Sequence, residues 1–106
     1  MIELNKENFE AEVLQAAGPV IVDFWGDKCE PCKALMPEVH KIADKYEGKI
    51  KFCKLNTTEN RRLAISQKVL GLPTFIVYKN GEKVKEISGA ENCTPETIEN
   101  LIKENI

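Results

Sequence analysis

The pattern of apolar and polar residues along the chain predicts strands and helices in alternation. Short apolar runs predict strands at residues 2–4, 20–25 and 50–55. The second run is apolar throughout except for Asp23, which is typical of a central strand covered on both faces. Strands that follow one another through helical crossovers favour parallel pairing, so we expect an α/β fold.

Three helices are predicted between and after these strands, each from apolar residues at helical spacing. The first helix is capped by Asn5, has apolar positions at Phe9, Val13 and Ala16 or Ala17, and ends at Gly18-Pro19. The second helix starts near Cys32, is kinked at Pro37 and stops at Gly48; its apolar positions are Leu35, Val39, Ile42, Ala43 and Tyr46. The third helix is capped by Thr57 or Thr58 and has apolar positions at Leu63, Ala64 and Val69.

The last third of the chain predicts a hairpin and a final helix. Asn80-Gly81 lies between the apolar run at 74–78 and the segment 83–88, and Asn-Gly between two strands is a strong hairpin signal. Val84 and Ile87 are out of phase for simple alternation, so we expect a bulge or a weak edge. Thr94-Pro95 then opens a helix whose inner face carries Ile98, Leu101 and Ile102.

Length and charge narrow the class of protein. The 106 residues fit one domain, 1–106, and a net charge of −2 with both signs interspersed gives no nucleic-acid footprint or membrane-surface patch. The first residues have no basic region followed by an apolar one, and no stretch is long enough to span a membrane. We therefore expect a cytoplasmic monomer with protein or small-molecule partners.

Two of the four cysteines carry the clearest chemistry. Cys29 and Cys32 follow the central strand and lie at the start of a helix, with Pro31 in its first turn. Two thiols at this spacing can close and open a disulfide with little backbone movement. The alternative is a zinc site, but Cys53, Cys93 and His40 provide no second closely spaced pair of ligands.

Beyond the cysteine pair, the chain resembles the thioredoxin family along essentially its whole length. The resemblance rests on an ordered set of motifs: Val22-Asp23-Phe24-Trp25, Cys29-x-Pro31-Cys32-Lys33, Pro37, Lys54-Leu55-Asn56, Gly71-Leu72-Pro73-Thr74, Lys79-Asn80-Gly81 and Gly89. It implies the thioredoxin fold, with a central mixed five-stranded sheet flanked by four helices. It also implies a protein-disulfide reductase without cofactor or metal, which receives electrons from thioredoxin reductase and passes them to disulfide-containing target proteins.

The resemblance also assigns roles within the site. Cys29, at the positive end of a helix, would be the attacking thiolate, and the deeper Cys32 would resolve the mixed disulfide. Asp23, whose pKa burial should raise, would take the proton of Cys32, with Lys54 as its charged neighbour. The alternative is that Asp23 and Lys54 are simply a satisfied buried pair.

A docking surface for an extended substrate peptide is implied as well. A cis bond before Pro73 would leave the backbone of Leu72 free to pair with the substrate. Trp25 is assigned to this surface, although core packing explains it equally well. The implied substrate-binding residues are Trp25, Glu30, Pro31, Gly71, Leu72, Pro73, Gly89 and Ala90.

Two residues depart from the family pattern beside the cysteines. Glu30 stands where glycine is usual and Lys28 where tryptophan is usual, so their charges act oppositely on the Cys29 thiolate and an aromatic contact is lost. We therefore expect these two departures to alter which partner proteins bind more than they alter the type of reaction. Of the other cysteines, Cys53 is expected in the core, and Cys93 is either an oxidation-sensitive thiol near the docking surface or an incidental surface cysteine.

Two alternatives to a disulfide reductase follow from the same residues. A disulfide isomerase or oxidase would need an oxidising compartment, which the missing signal sequence argues against. A non-catalytic thioredoxin-fold subunit would not need both cysteines together with Asp23, Lys54 and Pro73. We therefore predict a reductase of protein disulfides.

Overall fold

The computed structural model describes residues 1–106 as an alternation of strands and helices. In chain order the elements are β1 (Ile2–Leu4), α1 (Glu10–Leu14), β2 (Val20–Trp25), α2 (Glu30–Lys45), β3 (Lys51–Asn56), α3 (Arg61–Ser66), β4 (Thr74–Lys79), β5 (Glu82–Ser88) and α4 (Pro95–Lys103). This is the predicted order, with β3 starting one residue later than expected. Helix α2 continues through Pro37. None of the helices combines the length and the apolar composition of a membrane-spanning segment.

The five strands form one mixed sheet in the order β1-β3-β2-β4-β5. Strand β2 pairs in parallel with β3 and antiparallel with β4, and β5 completes the hairpin at the edge. The predicted α/β thioredoxin fold, a five-stranded sheet flanked by four helices, is confirmed. Because β2 is central, the loop that follows it emerges from the middle of the sheet.

Each face of the sheet is covered by two helices and has its own apolar cluster. Successive side chains of a strand point to opposite faces, so Ile21 joins one cluster and Val22 the other. The first cluster lies under α2 and α4, with Val39, Ile42, Phe75, Ile98 and Ile102; the second lies under α1 and α3, with Phe9, Val13, Phe24, Leu55 and Ala64.

The starts of α1 and α3 both differ from the predicted cap residues. Asn5 holds the turn before α1, where its Oδ1 accepts hydrogen bonds from the N–H groups of Glu7 and Asn8 at 2.8 and 3.0 Å. The N-cap residue of α1 is Phe9, which makes no side-chain capping hydrogen bond, so the predicted cap by Asn5 is wrong. The segment is shorter than predicted, since α1 is a π-helical turn that ends at Leu14. A cap of α3 by Thr57 or Thr58 is wrong, because the residue that precedes the helix is Asn60.

The two threonines instead hold the loop after β2. The Thr57 hydroxyl donates to the Trp25 carbonyl at 2.9 Å, and the Thr58 hydroxyl accepts from the Asp27 N–H at 2.9 Å. Hydroxyls engaged across the fold are not available to cap their own helix. The loop that delivers the cysteines is thereby tied to the end of β3.

The predicted hairpin and its irregularity are both confirmed. Asn80 and Gly81 have φ of 53° and 81°, the left-handed conformation that a tight two-residue turn requires. The pairing of β4 with β5 shifts register between Val77 and Tyr78, which is the predicted bulge.

Candidate active site

The cysteine pair lies at the N-terminus of α2, at the end of the central strand. Cys29 is the N-cap residue with extended backbone, and its Sγ accepts a hydrogen bond from the Cys32 N–H at 3.3 Å. The two residues form a disulfide across a Cα–Cα distance of 5.3 Å. The helix end and its unpaired N–H groups favour negative charge at the position of the Cys29 sulfur.

The two cysteines differ in access to solvent. Cys29 is half-buried, whereas Cys32 is only 3% exposed because it lies one turn deeper on the inner face of α2. A second molecule can therefore approach Cys29 more easily than Cys32. The two cysteines are close enough for Cys32 to attack a mixed disulfide that Cys29 forms with a partner protein.

Asp23 is buried on the face of β2 that α2 and α4 cover. Its side chain is 3% exposed, and burial raises the pKa of its carboxyl to about 7, although the charge of Lys54 partly opposes the shift. The two residues are opposite one another in the β2–β3 register but form no ion pair. The alternative of a satisfied buried ion pair therefore lacks the contact it requires.

The loop before β4 faces the first turn of α2. The Leu72–Pro73 peptide is cis, as the resemblance implied. Pro73 and Pro31 line one cavity of about 280 Å³ together with Ala90 and Cys93. The N–H and C=O groups of Leu72 make no hydrogen bond within the chain.

The predicted docking residues differ in exposure. Several of them lie close together, because Pro31, Pro73 and Ala90 line the same cavity and the Gly89 N–H donates to the Pro73 carbonyl at 2.9 Å. Glu30, Pro31, Gly71 and Ala90 are exposed, Trp25, Leu72 and Gly89 are half-buried, and Pro73 is buried. The Trp25 indole N–H has no hydrogen-bond partner. Beside the cysteines, the Glu30 carboxylate lies 3.6 Å from the Lys33 ammonium, whereas Lys28 forms no ion pair.

Cys93 is not the surface residue that one sequence alternative assumed. It is 3% exposed, its Sγ lies 3.6 Å from the Pro73 carbonyl oxygen, and burial raises the pKa of its thiol to about 11, with a smaller contribution from the charge of Asp23. A sequence signal existed, because Cys93 precedes the N-cap Thr94 by one residue and Ile98 follows the cap by four. An apolar pair at these positions often packs together as a staple, and both residues belong to the same cluster.

The remaining candidate ligands do not gather elsewhere. Cys53 is fully buried, as predicted, and burial raises the pKa of its thiol to about 12. His40 is exposed on α2. No group of three or more His, Cys, Asp or Glu side chains is placed to hold a metal ion.

Comparison with known proteins agrees with this geometry over the full length of the chain. The thioredoxin family model matches residues 1–104. The chain belongs to the thioredoxin family. A thioredoxin of Peptoclostridium acidaminophilum is 52% identical over all 106 residues and 96% of its own length, and one of Acetoanaerobium sticklandii is 50% identical over the whole of both chains. Thioredoxin 1 of a Nostoc species is 42% identical over 83% of this chain and 82% of its own.

Membership of the thioredoxin family and the bonded Cys29–Cys32 pair identify the chain as a thiol-disulfide oxidoreductase. Proteins of this family act on disulfide-containing targets and are served by a reductase. The predicted class of enzyme is confirmed, and the non-catalytic alternative has no support.

Proposed function

We propose that this chain is a cytoplasmic monomer, folded as one domain over residues 1–106, that reduces disulfides of target proteins and is itself reduced by thioredoxin reductase. The observation that carries the proposal is the difference between the two sulfurs. Cys29 is the more accessible and caps a helix, whereas Cys32 is 3% exposed. This arrangement favours a fixed order of attack.

The reaction follows from that order. The Cys29 thiolate attacks one sulfur of the target disulfide, forms a mixed disulfide and displaces the first target thiolate. The Cys32 thiolate then attacks Cys29 Sγ, closes the Cys29–Cys32 disulfide and displaces the second target thiolate. The target gains two electrons and its thiolates take up two protons, while the chain is oxidised; the reductase returns two electrons.

Asp23 is the proposed acceptor for the Cys32 proton, acting through water, with Lys54 as the positive charge that limits its pKa shift. A carboxyl with a pKa of about 7 can both take and release a proton in the neutral range. Asp23→Asn should flatten the pH dependence of the resolving step between about pH 6 and 8. Unchanged exchange kinetics across that range would remove this role from Asp23.

The proposed docking surface consists of Trp25, Glu30, Pro31, Gly71, Leu72, Pro73, Gly89 and Ala90. Its support is the unpaired backbone of Leu72, which has one donor and one acceptor free for an extended peptide. Leu72 lies directly before Pro73, which shares a cavity with Pro31 between the two cysteines. A substrate strand paired with Leu72 would bring its disulfide toward Cys29.

The order of attack is tested by trapping. Cys32→Ser should accumulate mixed disulfides between Cys29 and target proteins, because the resolving thiol is missing. Cys29→Ser should accumulate none, and Cys53→Ser, which removes a thiol far from solvent, serves as the matched control. Trapping by Cys29→Ser but not by Cys32→Ser would reverse the assigned roles.

The direction of electron flow is tested by equilibrating the Cys29–Cys32 couple with glutathione. A potential well below that of cytosolic glutathione fits a reductase, because the reduced pair then gives electrons to most protein disulfides. A potential well above it would contradict the proposal and favour an oxidase or isomerase.

A further inference from the structure

A second cavity lies between α3 and the residues that lead from α3 to Pro73. It has a volume of about 340 Å³, and its lining includes Lys28, Arg61, Ile65, Val69, Leu70 and Leu72. We call these six residues the α3 pocket. Lys28 directly precedes Cys29 in the chain, so the lining of the α3 pocket includes the neighbour of the more accessible cysteine.

Two large apolar side chains of the α3 pocket are exposed to solvent. Leu70 is 95% exposed and Ile65 is 61% exposed, the two highest values among the large apolar residues of the chain. Neither side chain stabilises the core by burial at these values. Adjacent exposed apolar side chains beside a reactive group are typical of a surface that is covered when a partner binds.

The charged side chains that line the α3 pocket are both positive. Lys28 and Arg61 form no ion pair, and no carboxylate lines the cavity. Of the acids near it in the chain, Asp27 accepts a hydrogen bond from Asn56 at 2.9 Å and Glu30 pairs with Lys33. Glu59 forms no ion pair, but its side chain does not line the cavity. The chain as a whole has a net charge of −2, so this positive rim is local.

We propose that the α3 pocket receives a segment of the target protein that carries a large aliphatic side chain next to a carboxylate, close to the target's cysteine. The aliphatic group covers Ile65 and Leu70, and the carboxylate lies against Lys28 and Arg61. The pocket therefore selects among disulfide substrates by the residues that flank their cysteines. This selection rests on the proposed reduction of protein disulfides and specifies its substrate class.

The test measures rates of reduction of four disulfide-bonded peptides by the fully reduced protein in single turnovers. The peptides carry Leu-Glu, Leu-Gln, Ser-Glu or Ser-Gln on both sides of the cysteine. The Leu peptides should react about tenfold faster than the Ser peptides, and Glu should add roughly a further threefold over Gln at low salt. The fraction of oxidised protein at each time is measured by alkylation of its free thiols and mass spectrometry.

Ratios between peptides are compared across variants, because a change in the reactivity of Cys29 cancels in a ratio. The Leu70→Ser variant should show a severalfold smaller ratio between the reduction rates of the Leu peptides and the Ser peptides. The Arg61→Glu variant should reduce the Gln peptides faster than the Glu peptides. Val84→Ser and Lys85→Glu, which change an exposed apolar and a charged residue on β5 outside the pocket, are the matched controls and should leave both ratios as they are.

Equal rates for all four peptides would overturn the inference, as would control variants that change the ratios as much as the pocket variants do. Reduction of a small symmetric disulfide by the wild-type protein is measured in parallel. If the protein reduces neither that compound nor any peptide, the proposed function fails and the inference falls with it. If it reduces the small disulfide and all peptides equally, only the inference fails.

Discussion

The buried carboxyl of Asp23 opposes the stability of the fold at neutral pH. Burial raises the pKa of this group from 3.8 to about 7 in the folded protein, so the folded state holds its proton more tightly than the unfolded chain does. Stability then falls as pH rises between these two values, because the unfolded state loses its proton first. A shift of this size corresponds to a free-energy cost on the order of 4 kcal/mol above pH 7.

Replacing Asp23 by asparagine should therefore stabilise the oxidised protein at pH 8 by a few kcal/mol, and by little at pH 4. The free energy of unfolding is measured by urea denaturation across this range. Asp44→Asn, on the exposed face of α2, is the control and should have no comparable pH-dependent effect. A stability gain of Asp23→Asn that does not depend on pH would contradict the assignment of the raised pKa to this carboxyl.

The four cysteines should differ sharply in their reaction with a thiol reagent. In the reduced protein, iodoacetamide at neutral pH should modify Cys29 first. Cys53 and Cys93 should stay unmodified, because both are at most 3% exposed and burial raises the pKa of their thiols to about 12 and about 11. Mass spectrometry after proteolysis locates the label, and all four cysteines should react in strong denaturant. Labelling of native Cys93 as fast as a free cysteine would contradict its burial.

These cysteines also mark how far the sequence predicts the site. The Cys29–Cys32 disulfide follows from a local signal, the spacing of two thiols at a helix start, and the family motifs add the proposed roles of Asp23 and Pro73. The sequence analysis left the burial of Cys93 open, although its place one residue before the Thr94 cap is a local signal for packing against Ile98. Its contact with the Pro73 carbonyl depends on tertiary packing and has no local signal.

The turn between β4 and β5 is packed tightly against α1, and this contact should limit which residues the turn accepts. A Cβ added to Gly81 would lie 2.8 Å from the Leu14 carbonyl oxygen, and the φ of Gly81 is +81°. Gly48 has a similar φ of +85° but no atom within 4 Å of such a Cβ. The two glycines therefore share the conformational requirement and differ only in the contact.

Gly48→Ala should lower the free energy of unfolding by about 1 kcal/mol, the cost of a left-handed alanine. Gly81→Ala should cost at least about 1 kcal/mol more, because the backbone of α1 must also move away. Thermal or urea denaturation of the two variants measures the difference. Equal losses would mean that α1 adjusts without cost and that the contact does not restrain the hairpin.

The order of the strands and helices was predictable because each element has its own local signal, such as the Asn-Gly turn or the Thr94 cap. The boundaries near the active site were less predictable. Thr57 and Thr58 have the right chemistry to cap α3, but their hydroxyls bind the backbone of the loop after β2, and Asn60 precedes the helix instead. In the loop next to the active site, tertiary hydrogen bonds therefore outweigh the local preference of threonine for a helix N-cap.

The two apolar clusters share one sheet, which links the stability of its two faces. Strand β2 contributes Ile21 to the cluster under α2 and α4 and Val22 to the cluster under α1 and α3, and β4 contributes Val77 and Ile76 in the same way. Loss of either helical layer would expose one whole face of these central strands. We therefore expect the molecule to unfold in one cooperative transition.

The cooperative transition can be tested with one truncation in each cluster. Leu55→Ala and Ile98→Ala remove fully buried side chains on opposite faces of the sheet and should each lower the free energy of unfolding by about 2–5 kcal/mol. Val84→Ala, at a half-exposed position of β5, should change it by less than about 0.5 kcal/mol. In each oxidised variant, the Trp25 fluorescence and far-UV circular dichroism midpoints should coincide. A second transition in either core variant would mean that one face unfolds alone, and residues 1–106 would then not behave as one folding unit.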